Sequence, residues 1–151
     1  MDQLCILSAS AGLILSCGKA SLLLHNFISD AKIVDTMIQS LINDVTSLKQ
    51  LLTNVKIVFA RPEIDFAVTH NVDNFNGKIW TRANELLESC KTTLKQLEKI
   101  LVKLGKKRNE LFAKPWMQLK MELKSSDLQF RHRQLQTQRA TVQILLESTS
   151  L

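Results

Sequence analysis

The sequence contains no tyrosine, two prolines and four glycines in 151 residues, and residues 19–76 contain no glycine at all. A β-sandwich or barrel needs frequent turns with positive φ, which glycine supplies, and its strands are rich in aromatic residues. These scarcities therefore argue against β architecture. A hydrophobic content of 45% with 23% charged residues is ordinary for a globular protein and argues against disorder. We therefore predict one all-α domain over residues 1–151, because two domains of half this length would have very small cores.

Cysteines are few and odd in number: Cys5, Cys17 and Cys90. Each lies in an apolar helical pattern, where a reduced cysteine behaves as a small hydrophobic residue. The odd count favours a reducing intracellular setting, and a disulfide scaffold remains the alternative. The chain opens with Met1 and Asp2, without the basic start of a secretory signal. We expect a cytoplasmic protein.

Catalytic and cofactor motifs are also missing from the sequence. Gly18-Lys19 is followed by alanine inside a helical pattern, so it is not a phosphate-binding loop, and no nucleophile elbow occurs. The carboxylates Glu85 and Glu88 are interpreted as solvated. The histidines lie far apart, whereas a zinc site needs three or four ligands that converge. They are interpreted as surface or loop residues: His25, His70 and His132. The sequence thus predicts no catalytic, cofactor-binding or metal residue, no small-molecule substrate and no enzyme.

Helical periodicity predicts about five helices, forming a bundle of the four-helix type. We place them over about 2–28, 31–59, 78–104, 115–124 and 125–147. A loop at about 60–77 is indicated by Pro62 and by the asparagines that precede Gly77. Two helices have unbroken seams of alternating three and four residues. They are Val34, Ile38, Leu41, Val45, Leu48, Leu52, Val55 and Phe59 in the second, and Ala83, Leu87, Cys90, Leu94, Leu97, Leu101 and Leu104 in the third.

The first helix is the most lipid-compatible segment. Residues 3–18 are uncharged, but sixteen residues fall short of the ~20 that span a bilayer, so we interpret the helix as buried. Ser8, Gly12 and Ser16 recur every four residues, a spacing that lets two helices approach closely. The candidate membrane or oligomerisation surface consists of Leu4, Leu7, Ala11, Gly12, Leu13, Ile14 and Leu15.

Charge is distributed unevenly along the chain. Residues 1–77 contain five Lys/Arg and seven Asp/Glu, whereas residues 78–151 contain fifteen and seven. The candidate anionic-surface ridge consists of Lys91, Lys95, Lys99, Lys103, Lys106, Lys107 and Arg108. Three interpretations stay open: a solvated helix face, a surface for anionic membranes, and, less favoured because no stacking aromatic or groove-reading motif accompanies it, a nucleic-acid surface.

Several short motifs resemble a known family. The opening (Met1-Asp2-x-Leu4, Ser8-Ala9-x-Ala11-Gly12-Leu13, Gly18-Lys19 and residues 23–28) is similar to the fungal N-terminal domains that precede NOD-like (STAND) receptors and ankyrin-repeat proteins. The likeness continues through Val45-x-x-Leu48-x-x-Leu52, Leu94-x-x-Leu97-x-x-Ile100-Leu101, Trp116 and residues 124–128, so it spans nearly the whole chain. One departure is Gln3, where the family usually has proline, and another is that no nucleotide-binding or repeat region follows, so the chain is either a stand-alone module or an excised one.

The resemblance implies a HeLo-like bundle that serves as a signalling or cell-death-effector module. In some members of that family the apolar N-terminal helix is released to attack membranes, which makes residues 4–15 the candidate segment here. We therefore expect a cytoplasmic protein that acts by self-association and is recruited to the inner face of the plasma membrane. The alternative is a passive structural or adaptor bundle that mediates protein–protein interaction without membrane activity.

Overall fold

The computed structural model describes residues 3–31, 36–62, 77–110 and 126–148. These residues form four helices, without any strand among them: α1 (Gln3–Ala31), α2 (Thr36–Phe59), α3 (Gly77–Glu110) and α4 (Ser126–Ser148). The predicted all-α class is confirmed. The predicted count of about five is one too many for the described chain, and the short helix expected near Pro115 lies outside the described residues, as does most of the loop expected over 60–77.

The helices pack as a bundle in which α2 and α3 each contact both α1 and α4. α1 packs mainly on α2 and α3, and α4 packs mainly on the same two helices. α2 and α4 run in the same direction. Asp44, early in α2, meets His132 and Arg139, whereas the end of α2 around Ile57 shares a cleft with Gln143 and Leu146, near the end of α4.

The seams predicted for α2 and α3 are confirmed wherever side chains are described. In α2 the buried seam is Ile38, Leu41, Val45, Leu48, Leu52, Val55 and Phe59, and in α3 it is Ala83, Leu87, Cys90, Leu94, Leu97 and Leu101. Polar residues occupy the side of each helix opposite its seam, so the amphipathic stripe identifies the inner face of each helix. These two seams provide more than half of the buried core.

Two predicted helix ends are wrong, and in both cases the helix continues. The sequence predicts that the first helix ends at about residue 28, but α1 runs on through Ser29 and Asp30 to Ala31. The sequence predicts that the third helix ends at about residue 104, but α3 continues through Gly105 to Glu110. Glycine inside a helix costs only about 1 kcal/mol relative to alanine, and the Lys, Leu and Arg residues around Gly105 are all strong helix formers.

Candidate interaction surfaces

α1 is apolar on two opposite sides. Its inner side is buried against α2 and α3 and consists of Ile6, Leu13, Cys17, Ala20 and Leu24. Three leucines on the other side are largely exposed: Leu4 (73%), Leu15 (77%) and Leu22 (61%). Spacings of eleven and seven residues bring these three within about 20° of one another around a helix of 3.6 residues per turn. We call Leu4, Leu15 and Leu22 the outer row.

The structure divides the predicted α1 surface between these two sides. Leu4, Gly12 and Leu15 are exposed, Leu7, Ala11 and Ile14 are half-buried, and Leu13 belongs to the core. The interpretation of the whole helix as buried is therefore wrong. Leu4 and Leu15 of the predicted set are exposed, whereas Leu7 and Ile14 pack against the edge of the core. Periodicity does not separate the two sides, because α1 is apolar almost all round and two different sets of positions repeat at helical spacing.

The evenly spaced residues Ser8, Gly12 and Ser16 do not mediate a close approach of α1 to another of the described helices. Ser8 and Gly12 are exposed, and a Cβ atom built on Gly12 would meet nothing within 4 Å. The Ser16 hydroxyl donates to the carbonyl of Gly12 at 3.1 Å, a bond within the same helix. This row of small side chains is open to solvent beside the outer row.

One helix of the described chain is long and apolar enough to cross a membrane, the 23 residues Leu4–Asn26 of α1, with a mean hydropathy of 1.6. The predicted apolar run of sixteen residues ended at Lys19, but that single lysine does not interrupt the helix. The central helix of a soluble protein reaches similar hydropathy when it is mostly buried. Only 28% of this segment is buried, so its apolar character exceeds what the core of the bundle requires.

The lysines predicted as a ridge lie on one helix. Lys91, Lys95, Lys99 and Lys103 are all exposed on α3, and together we call them the basic ridge. At 1.5 Å per residue the basic ridge is about 18 Å long. Residues 106–108 belong to the same helix, and their side chains lie outside the described residues. In the described parts of the chain, none of the four lysines is ion-paired with a carboxylate.

The outer row and the basic ridge are neighbours on adjacent helices. The Lys19 ammonium of α1 contacts the Glu98 carboxylate of α3 at 2.7 Å. Lys19 lies one turn after Leu15 and about one turn before Leu22, and Glu98 lies between Lys95 and Lys99. This ion pair therefore brings the turn of α1 between Leu15 and Leu22 against the turn of α3 between Lys95 and Lys99.

A buried polar cluster joins α2 to α4. The Asp44 side chain is 7% exposed, and its Oδ2 accepts from His132 Nε2 at 2.6 Å and from Gln136 Nε2 at 3.1 Å, while Oδ1 accepts from Arg139 Nη1 at 2.9 Å. We call these four residues the Asp44 cluster. An ionised carboxylate only accepts hydrogen bonds, so the hydrogen of His132 lies on Nε2.

The interpretation of His132 as a surface residue is wrong, because its side chain is only 14% exposed. His25 is exposed as predicted, and His70 lies outside the described residues. A His–Asp pair is the base and orienting half of a hydrolytic triad, which also needs a nucleophile. Within the described ranges, no hydroxyl or thiol is hydrogen-bonded to His132, and Arg139 occupies the second carboxylate oxygen. The contacts fit a cluster that holds α4 on α2.

A second polar contact fixes α4 on α3. Gln138 Nε2 donates to Ser89 Oγ at 2.8 Å and to Thr93 Oγ1 at 2.7 Å. Gln138 occupies a seam position of the last helix, where a polar residue predicts less burial. Gln138 is 5% exposed, so α4 buries this position and satisfies its amide nitrogen from α3. The apolar contacts of α4 lie on either side, at Leu128, Leu135, Val142 and Leu145.

Two thiols are enclosed in the core and one is not. Cys17 and Cys90 are 0% exposed, whereas Cys5 is exposed. Burial raises the pKa of the Cys17 thiol from 9.0 to about 12, against a smaller lowering by Lys49. Burial likewise raises the pKa of Cys90 to about 12, and the nearby Cys17 raises it further while a backbone hydrogen bond lowers it. Both core thiols are therefore protonated at neutral pH.

We expect a maleimide to label one thiol of the folded protein rapidly and three thiols after denaturation. The thiolate is the reactive form, and at pH 8 a pKa near 12 leaves about one part in ten thousand of each core thiol ionised. Mass spectrometry should find the label on Cys5. The raised pKa values also predict alkaline destabilisation. The contribution of the two buried thiols to the free energy of unfolding is fully present below pH 9 and is lost as the pH rises towards 12, because the thiols of the unfolded chain ionise first. Rapid labelling of Cys17 in the native state would contradict the packing of α1.

Among the described residues, no group of three or more His, Cys, Asp or Glu side chains could hold a metal ion. Glu85 and Glu88 are exposed on α3. The chain matches no protein-family model, no curated protein and no solved structure.

Proposed function

We propose that this chain is a non-catalytic signalling or cell-death-effector bundle of the HeLo-like type found at the N-terminus of fungal NOD-like receptors. It acts by self-association and by engagement of a membrane through α1, from the cytoplasmic side. The proposal includes the absence of enzymatic activity. The family assignment rests on the sequence resemblance, and the mode of action rests on the exposed surfaces of the bundle.

The observation that carries the proposal is the apolar outer side of α1. Leu4, Leu15 and Leu22 are each more than 60% exposed although the inner side of the same helix already fills the core. Scattered single leucines on a surface are normal, but an apolar row along a helix of membrane-spanning length is typical of an interaction site. A second copy of the chain or a bilayer could each cover this row, and both are part of the proposed activity.

The rival function, a passive adaptor bundle, is favoured by a different observation. The inner side of α1 is locked into the core, with Ile6, Cys17 and Leu24 at 0% exposure. A helix held in this way serves first as a structural element. The adaptor and the effector therefore differ in whether the outer row has a function beyond the fold.

We expect the double substitution Leu4→Ser/Leu15→Ser to abolish activity without unfolding the protein. Both side chains project away from the bundle, so their loss removes contact area with a partner but none from the core. Light scattering should give the mass of the wild-type chain with and without vesicles, and release of an entrapped dye should report membrane damage. The substitution should abolish dye release, vesicle binding and self-association.

The matched control is Ile57→Ser/Ile144→Ser, which removes two exposed apolar side chains from α2 and α4. This control should behave as wild type in every assay, and thermal melts should show that both double variants remain folded. A wild-type chain that stays monomeric at all concentrations and neither binds nor permeabilises vesicles would refute the proposed function and favour the adaptor.

A further inference from the structure

We infer that the outer row and the basic ridge form one composite face, with which the intact bundle docks on an anionic bilayer. The inference rests on the proposed function and specifies its membrane partner and geometry. Docking of this kind needs no release of α1, because the leucines and the lysines already face outwards in the closed bundle.

The two rows match the two layers of a membrane interface. Leucines on an interfacial helix insert at the boundary of headgroups and acyl chains, while lysines on the polar side meet anionic headgroups. Lys19 lies between the rows, and its aliphatic stem can follow the apolar surface while its ammonium stays in the polar layer. The outer row runs about 27 Å along α1 and the basic ridge about 18 Å along α3, so the contact extends over both helices.

Carboxylates reduce the positive charge of this face only in part. Glu98 is paired with Lys19 at 2.7 Å, so this pair is neutral. Glu88 is exposed one turn before Lys91 and weakens that end of the basic ridge. Lys95 and Lys99 flank the turn of α3 that meets Lys19 of α1, and these two lysines are the ones to test.

A second copy of the chain fits this face less well than a bilayer does. In a symmetric pair that meets through the composite face, the lysines of one copy would oppose either the lysines or the leucines of the other. The first arrangement brings like charges together, and the second removes ammonium groups from water without a partner. Nucleic acid would neutralise the lysines but would leave the outer row in water.

The inner side of α1 argues for docking without release. Withdrawal of α1 would expose Ile6, Leu13 and Leu24 and open the α2–α3 surface that they cover. The core thiols Cys17 and Cys90 report on this directly, because they are buried and protonated as long as α1 stays in place.

The first test measures binding to vesicles of equal parts phosphatidylserine and phosphatidylcholine by flotation. We expect Lys95→Gln/Lys99→Gln to weaken binding on the order of 30-fold, from about five-fold for each charge removed near an anionic surface. Leu15→Ser should weaken it about ten-fold. The charge-matched control Lys56→Gln/Arg133→Gln removes two exposed positive charges from α2 and α4. It should change binding by no more than about two-fold, since these charges belong to the two helices that do not form the composite face.

The second test locates α1 in the bound state. In a Cys5→Ser background, vesicle-bound protein is treated with a maleimide, and Cys17 and Cys90 should remain as protected as they are in solution. Rapid labelling of Cys17 on vesicles would overturn docking of the closed bundle and show that α1 is released. Equal binding to pure phosphatidylcholine vesicles would overturn the role of the basic ridge.

The remaining outcomes separate this inference from the proposed function. Self-association that depends on Leu15, without vesicle binding, would overturn the docking inference and leave the proposed function standing. Binding to a short DNA duplex that is lost in Lys95→Gln/Lys99→Gln but retained in Leu15→Ser, with no vesicle binding, would overturn the inference in favour of nucleic acid. Absence of both vesicle binding and self-association would refute the proposed function itself.

Discussion

Leu13→Asp is expected to unfold the protein, whereas Leu15→Asp, two positions further along the same helix, is expected to leave it folded. Leu13 is 3% exposed and lies in the core, so aspartate there would bury a charge that has no partner. Such a burial costs several kcal/mol, against a total stability of about 5–15 kcal/mol for a domain of this size. Leu15 is 77% exposed, and a carboxylate at that position stays in water.

Circular dichroism and thermal melts of the two variants provide the measurement. Leu13→Asp should show no cooperative transition, and Leu15→Asp should melt within a few degrees of the wild type, since surface substitutions usually change stability by less than about 0.5 kcal/mol. A folded Leu13→Asp, or an unfolded Leu15→Asp, would mean that α1 packs on its other side. Leu15→Asp also tests the proposed function, because a folded variant that has lost activity favours the effector over the passive adaptor.

Leu13 and Leu15 both belong to the surface predicted from the sequence, yet Leu13 is buried and Leu15 is exposed. This difference shows where sequence periodicity stops being informative. In α2 and α3 the predicted seams are the buried ones because polar residues occupy the opposite side of each helix. α1 has no such polar side over most of its length. Leu4, Leu7, Ala11 and Ile14 repeat at helical spacing, and so do Ile6, Leu13, Cys17 and Leu24, and only the neighbouring helices decide which set is buried.

The composite face could be predicted in its parts but not as a whole. The lysine spacing on α3 and the apolar character of α1 are both visible in the sequence. Their juxtaposition depends on which helices are neighbours, and the Lys19–Glu98 pair that shows it joins residues almost eighty positions apart. Periodicity places residues around one helix and contains no information about which helix packs beside it.

The Asp44 cluster was missed for the same reason, although a local signal exists. Asp44 stands beside Leu41 and Val45 inside the wide apolar stripe of α2, where a solvated aspartate is unexpected. On α4 the polar residues Arg131 and Gln138 alternate with the buried apolar positions Leu128, Leu135 and Val142. A polar residue inside an apolar stripe, together with polar positions in another seam, could have indicated that the two helices meet through hydrogen bonds.

Asp44→Ala is expected to destabilise the protein by about 3 kcal/mol and to loosen α4 first. Removing one partner of a buried ionic cluster leaves the charges of the remaining partners uncompensated, which costs roughly 3–5 kcal/mol. The lower end applies here because the Arg139 side chain is 40% exposed and can turn to solvent. The His132 side chain is 14% exposed and stays in the interface without an acceptor for its Nε2 hydrogen. Denaturant unfolding followed by circular dichroism gives the free energy, and hydrogen exchange shows whether the amides of α4 lose protection before those of α2.

Two further variants separate the contribution of charge from that of packing. Asp44→Asn keeps the size of the side chain and one acceptor, so it should lose less stability than Asp44→Ala. Asp44→Leu combined with His132→Leu replaces the pair by apolar groups, an exchange that is often neutral for buried ion pairs. Recovery of the lost stability in that double variant, together with faster exchange of its α4 amides or a broader thermal transition, would show that the cluster fixes the position of α4. Without the cluster, the four buried apolar residues of α4 could pack in a shifted register. A loss below about 0.5 kcal/mol for Asp44→Ala would instead show that α4 is held by Gln138 and its apolar contacts alone.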